Sequence, residues 1–166
     1  MLIEMKVYAL TVDPFTNAPI VILKDLEEKS ALPVWIGSPE ASAIASELES
    51  VEFSRPMTHD LIKKILTEFG AKVLKIQIND IRESVFYATI HLETPSGPIT
   101  IDSRPSDAIA LALRTEATIY VDTHVLDKSK SIDLRTQEGL KSAETPEELL
   151  NMLDDFEPEE FGKYKM

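Results

Sequence analysis

The chain has 166 residues, of which 43% are hydrophobic and 28% charged, and its net charge is −12. That length suffices for one domain with its own core, and the composition is that of a folded chain rather than a disordered or fibrous one. The absence of cysteine excludes disulfides, thiolate zinc sites and cysteine nucleophiles, and the longest apolar run, residues 108–113, is far short of the ~20 residues that span a bilayer.

Residues 1–10 are interrupted by Glu4 and Lys6, so no secretory leader is expected; the setting predicted is cytoplasmic, with no membrane partner. Ile3, Met5, Val7 and Ala9 alternate at the strand period of two, and the turn residues Asp13, Pro14, Asn17 and Pro19 separate them from Ile20, Val21 and Ile22, which predicts a hairpin. Residues 33–36 predict a third short strand, closed by Gly37. Ser38-Pro39-Glu40 then predicts a helix start with Ser38 as the N-cap, and Ala41, Ile44, Ala45 and Leu48 as the buried stripe. A second helix is predicted from Thr58, with Asp60 in its first turn, Leu61, Ile62, Ile65, Leu66 and Phe69 as its apolar side, and Gly70 as its stop.

Strands follow over 72–81 and 85–93, joined by a turn over 79–84, and another over 99–102 after the turn at Pro95-Ser96-Gly97-Pro98. Arg104-Pro105-Ser106-Asp107 opens a third helix, whose body over 108–113 is apolar all round and therefore belongs in the middle of the fold. A last strand is predicted over 118–121. Beyond about residue 127 the pattern decays, apart from a short helix starting at Thr145-Pro146-Glu147-Glu148 and a loose acidic segment from Asp154. The expectation is an α+β domain over 1–127, with a mixed, mostly antiparallel sheet and three main helices, followed by an acidic extension over 128–166 with a short C-terminal helix.

The charge is unevenly spread. Residues 138–166 hold nine acids against three lysines, which accounts for half of the excess, whereas Lys63, Lys64, Lys72, Lys75 and Arg82 outnumber Glu68 and Asp80 over 61–82. Screening acts over about 8 Å at physiological salt, so Lys63, Lys64, Lys72 and Lys75 could form a nucleic-acid-binding face on an acidic protein; the plainer reading is a solvated surface.

Only five glycines are present and none builds a phosphate-cradling loop; no serine sits in a nucleophile elbow, and His59, His91 and His124 are too dispersed for a zinc helix. What remains is chemistry at helix beginnings. Glu40, Asp60 and Asp107 each occupy a first turn, where an acid offsets the helix dipole without needing any other role. The stretch 102–107 is denser: Asp102 ends a strand, Asp107 opens a helix, and Arg104 lies between them. Two carboxylates could hold a divalent cation while the arginine pairs with phosphate; the alternative is an internal Asp–Arg staple. Thr58, Ser103 and Ser106 read as caps rather than nucleophiles.

Three motifs carry a resemblance. Leu32-Pro33-Val34-Trp35-Ile36-Gly37 with Glu40-Ala41, then Arg55-Pro56-Met57-Thr58-His59-Asp60-Leu61, then Asp102-Ser103-Arg104-Pro105-Ser106-Asp107-Ala108-Ile109-Ala110-Leu111-Ala112, resemble in order the signatures of the bifunctional nuclease family. The resemblance covers roughly residues 1–126, and the tail is similar to that of compact bacterial members. It implies nuclease activity on DNA and RNA. The site residues follow from chemistry rather than from the family. Asp102 and Asp107, with Glu40 or Asp60, would hold Mg²⁺ or Mn²⁺; Arg104 would clamp phosphate; His59 would move a proton. The expected assembly is a homodimer. The alternative is a non-catalytic binding or regulatory module that docks an anionic ligand or a protein partner, which the shortage of base-stacking aromatics (7%) favours.

Overall fold

The computed structural model describes residues 1–131, and the helix predicted from Thr145 and the segment from Asp154 lie outside them. The elements run β1 (Leu2–Val12), β2 (Pro19–Asp25), β3 (Ala31–Trp35), α1 (Ser38–Leu48), α2 (Thr58–Glu68), β4 (Lys72–Arg82), β5 (Val85–Thr94), β6 (Gly97–Ser103), α3 (Pro105–Thr115), β7 (Thr118–Asp122) and α4 (Thr123–Ser131). The strands form one seven-stranded sheet in the order β3-β2-β1-β7-β4-β5-β6. Every pairing is antiparallel except β4 with β7. The fold is α+β.

Strand alternation decides what lies beneath the helices. Val73, Ile76, Ile78 and Ile81 of β4, Ala88, Ile90 and Leu92 of β5, and Ile119 and Val121 of β7 point to one face and are buried with Ala108, Ile109, Leu111 and Ala112 of α3. The small side chains of α3 let its axis come close to β4 and β5; α1 packs on α3 and on β2, burying Ala41 and Ile44, and α2 packs on α3. The central position expected for this helix is the one observed.

Local details differ from the sequence reading in five places. Gly37, not Ser38, is the N-cap of α1, and Ser38 is already helical. Thr58 and Ser106 also lie inside first turns, and neither α2 nor α3 carries a side-chain cap; Ser103 Oγ donates instead to the Arg104 carbonyl. The turn predicted over 79–84 is only Glu83-Ser84, both at positive φ, so Asn79 to Arg82 remain in β4. The apolar side of α2 is largely exposed, and its one buried residue is His59. Finally, α4 was not legible in the sequence; it runs across position 127 and buries Val125 and Leu126.

The first family-like motif has a packing role at its aromatic residue. Trp35 donates its indole N–H to Asp13 Oδ2 at 3.1 Å, while Asp13 Oδ1 accepts from the Phe15 and Thr16 amides and so ties the β1–β2 turn to the end of β3. Burial works to raise the Asp13 carboxyl, but these hydrogen bonds outweigh it and hold the group below its ordinary 3.8. Among the described residues no helix is long and apolar enough to cross a membrane.

Candidate functional site

The starts of α1, α2 and α3 come together. Pro39 and Pro105 preset the helical φ in the first turns of α1 and α3 at no loss of a hydrogen bond. Glu40 folds back over Gly37, where an added Cβ would displace its carboxylate from this position. From that position Glu40 Oε1 accepts from Arg104 Nη1 at 2.8 Å, and Arg104 Nε donates to Asp107 Oδ2 at 2.7 Å. Two nitrogens of the guanidinium are thus fixed, and the side chain is still 65% exposed.

Asp107 uses its other oxygen for α2: Oδ1 lies 3.0 Å from His59 Nε2. Burial works to raise the Asp107 carboxyl, but hydrogen bonds and charge from Arg104 and His59 prevail and hold it below 3.8. Asp107 is therefore ionised and can only accept, so Nε2 must be the donor, and a neutral His59 ring carries its lone pair on Nδ1. Nδ1 has no hydrogen-bond partner among the described residues.

Beside this chain lies a second one, which sequence reasoning missed. Arg114, in the last turn of α3, is only 3% exposed at its side chain. Its Nε donates to Asp60 Oδ1 at 2.6 Å, Nη1 to the Ala110 carbonyl at 2.9 Å and Nη2 to Ser46 Oγ at 3.3 Å. Asp60 Oδ2 accepts from the Met57 amide at 2.9 Å, so both carboxylate oxygens are committed to structure. Asp60 positions α2 against α3 and is not placed to act on a ligand. The signal available for Arg114 was a single charge ending a helix that is apolar all round, since a buried guanidinium must find partners.

The structure therefore gathers Glu40, His59, Asp60, Arg104 and Asp107, and leaves out Asp102. Asp102 pairs across β6 with Thr89, whose side chain lies on the face opposite Ala88 and Ile90, so its carboxylate points away from the helix layer that holds Asp107. The expected Asp102–Asp107 metal pair is not formed. Between Glu40 and Asp107 stands the Arg104 guanidinium, and among the described residues no three His, Cys, Asp or Glu groups cluster as a metal site would need. The residues present do not fit a resident divalent cation. The four lysines are also divided: Lys63 and Lys64 are exposed on α2, whereas Lys72 and Lys75 share the other side of the sheet with Glu93 and His91, because an extra residue at Leu74 shifts the register of β4. Lys75 lies over the Tyr120 ring, 5.5 Å from its centroid.

A pH dependence follows from the depressed carboxyls. Asp60 is also held below 3.8, since Arg114 and the Met57 amide outweigh the burial that would raise it. A group with a lowered folded-state pKa contributes stability above its unfolded value and loses it as pH falls through the folded value. The thermal midpoint is expected to be nearly flat from neutrality to about pH 4 and to fall below it. Asp107→Asn should show a shallower acid limb than the parent in calorimetric scans; identical limbs would remove Asp107 from this account.

Comparison with known proteins bears on the family. The family described as the bifunctional nuclease domain matches residues 21–133, which contain all three helix starts. An "uncharacterized protein" of Mycobacterium tuberculosis is 33% identical over 162 residues, covering 95% of this chain and 97% of its own. Bifunctional nuclease 2 of Oryza sativa subsp. japonica is 28% identical over 109 residues, 62% of this chain and 33% of its own; bifunctional nuclease 1 of Arabidopsis thaliana is 23% identical over 112 residues, 64% of this chain and 34% of its own. The match of the domain over most of the chain, together with a relative aligned along nearly its whole length, shows that this protein belongs to the bifunctional nuclease domain family.

Proposed function

We propose that the protein hydrolyses phosphodiester bonds of DNA and RNA with little sequence preference, at the junction of α1, α2 and α3, and that it does so as a homodimer. The observation that carries the reading is Arg104, two-thirds exposed yet held by two carboxylates beside the His59–Asp107 pair. A fixed guanidinium binds a phosphate oxygen without the entropy loss of ordering a free side chain. His59 Nδ1 then takes the proton of a water that attacks phosphorus; the P–O bond to the leaving oxygen breaks, that oxygen takes a proton from solvent, and the imidazolium returns its own proton to solvent. Asp107 keeps the ring in the tautomer this step needs and stabilises the imidazolium. The plant relatives named bifunctional nucleases support the substrate class. No step uses a metal; a Mg²⁺ or Mn²⁺ requirement would need Arg104 to leave one of its carboxylates.

The test is a time course on single-stranded DNA and RNA with parent and Arg104→Ala protein, each with added Mg²⁺ or Mn²⁺ and with chelator. Activity in the parent that is lost in a folded Arg104→Ala variant supports the site; equal rates indicate a contaminating nuclease. Persistence in chelator supports the metal-free route, and its loss there returns the divalent cation expected from the sequence. The second reading, a non-catalytic module that docks a protein partner, is favoured by one observation: the exposed apolar side of α2.

A further inference from the structure

We propose that β6 and the apolar side of α2 form the contact surface between two copies of this chain, joined edge to edge about a two-fold axis through Thr100. The inference rests on the homodimer put forward above and assigns its surface.

The two edges of the sheet are treated differently. At the β3 edge, Leu32 and Val34 are fully buried, Pro33 interrupts the donors, and Trp35 is tied to Asp13. At the β6 edge, Pro98, Ile99, Thr100, Ile101 and Asp102 are all exposed. The strand has no lysine or arginine and offers only Pro98 and Asp102 as guards, so it is a template for another strand. Ile99 and Ile101 lie opposite Leu92 and Ile90 and so face the helix side, yet they are 46% and 43% exposed. The core face of the sheet continues past its last helix to the open edge.

On that same side α2 turns Leu61, Ile62, Ile65 and Phe69 outward, each more than a third exposed and Phe69 at 77%. The turn that follows α2 meets the β5–β6 turn, where a Cβ added at Gly70 would lie 3.2 Å from Pro95 Cγ, so the C-terminal end of α2 lies beside the start of β6. These six side chains expose on the order of 500 Å², the larger part of the ~800 Å² that each partner of a stable complex contributes and at the upper end for a patch left open on a monomer.

A second copy fits this surface by charge and by register. Two chains of net charge −12 repel, and repulsion is least away from the acidic surface; with Asp60 paired to Arg114, the exposed side of α2 sets Lys63 and Lys64 against Glu68 alone. An antiparallel pairing centred on Thr100 sets Ile99 of one copy opposite Ile101 of the other, twice, on the helix side. It places each Asp102 opposite Pro98 rather than opposite its own copy, so no like charges meet.

The absence of cysteine makes the test direct. Directly opposed residues of antiparallel strands have Cα atoms about 4.5–5.5 Å apart, inside the range a disulfide bridges. Full-length protein should run as a dimer by multi-angle light scattering, and Thr100→Cys should give a disulfide-linked dimer under mild oxidant. Ser96→Cys, on the same hairpin but far from its own copy in this register, should not. Ile101→Lys should raise the dimer dissociation constant at least tenfold in sedimentation equilibrium, with circular dichroism unchanged. A monomer at tens of micromolar, whether its α2 face is covered by residues 132–166 or by another protein, overturns both the homodimer and this surface. A dimer in which Thr100→Cys cross-links no better than Ser96→Cys overturns the surface alone, and neither result bears on the hydrolysis assays.

Discussion

Replacing Asp107 by asparagine is expected to lower nucleic-acid hydrolysis by about a hundredfold to ten-thousandfold while leaving the fold intact. The substitution is close to isosteric, and the amide oxygen can still accept from Arg104 Nε. The other end of the amide is then NH₂ and must donate to His59 Nε2, where the carboxylate had accepted. That exchange moves the imidazole proton to Nδ1 and removes the lone pair required of a general base, with little change in heavy-atom position. Loss of the carboxylate charge also leaves the imidazolium without its counter-ion. His59→Ala should show a loss of similar size, and the double variant should lose little more, because the two residues act as one unit. Asp102→Asn should retain parent activity, since that carboxylate lies on the opposite face of the sheet. The check is a single-turnover rate on a defined oligonucleotide, after circular dichroism has shown each variant to be folded. An Asp102→Asn loss as large as that of Asp107→Asn would restore the two-carboxylate metal pair and overturn the His59–Asp107 assignment.

The contrast between those two aspartates is legible in the alternation of β6. Ile99 and Ile101 are apolar and alternate with Thr100 and Asp102, so the strand period alone turns Asp102 away from the side on which the helix bearing Asp107 must pack. Proximity in sequence suggests a pair, and periodicity argues against it. Helix starts at Pro39 and Pro105 and the buried middle of α3 are equally readable, because they depend on local backbone restriction and on an apolar circumference. The His59–Asp107 contact is not readable, since it joins residues 48 apart and depends on how α2 lies against α3. The exposure of Leu61, Ile62 and Ile65 is hidden for a related reason: an amphipathic helix announces an apolar side but not whether its own chain covers it. The same ambiguity affects α4, whose buried Val125 and Leu126 sit among polar residues too few turns long to show a period.

Asp60→Ala is expected to destabilise the fold by about 3–5 kcal/mol, and Arg114→Met by considerably less. The asymmetry comes from burial. Arg114 is 3% exposed and Asp60 32%, so removing the acid strands a guanidinium in the interior with only the Ala110 carbonyl and Ser46 Oγ as partners. Those neutral acceptors satisfy hydrogen bonds but not the charge, and a buried unpaired charge is among the most unfavourable single changes a core can carry. Removing the arginine instead leaves an aspartate that can rehydrate at the surface and still accepts from the Met57 amide, while methionine refills much of the volume among Ala110 and Ser46 without demanding partners. The double variant should accordingly be more stable than Asp60→Ala alone, because the second substitution removes the stranded charge. Urea denaturation of the four proteins measures this, and at this chain length Asp60→Ala should lower the thermal midpoint by about 10 °C. Equal losses in the two single variants, or a double variant less stable than Asp60→Ala, would mean that Arg114 is not the buried member of the pair. The same series separates fold from chemistry. If Asp60 only positions α2, Arg114→Met at a temperature well below its midpoint should keep hydrolysis within a few-fold of the parent, because Arg104, Asp107 and His59 retain their own contacts.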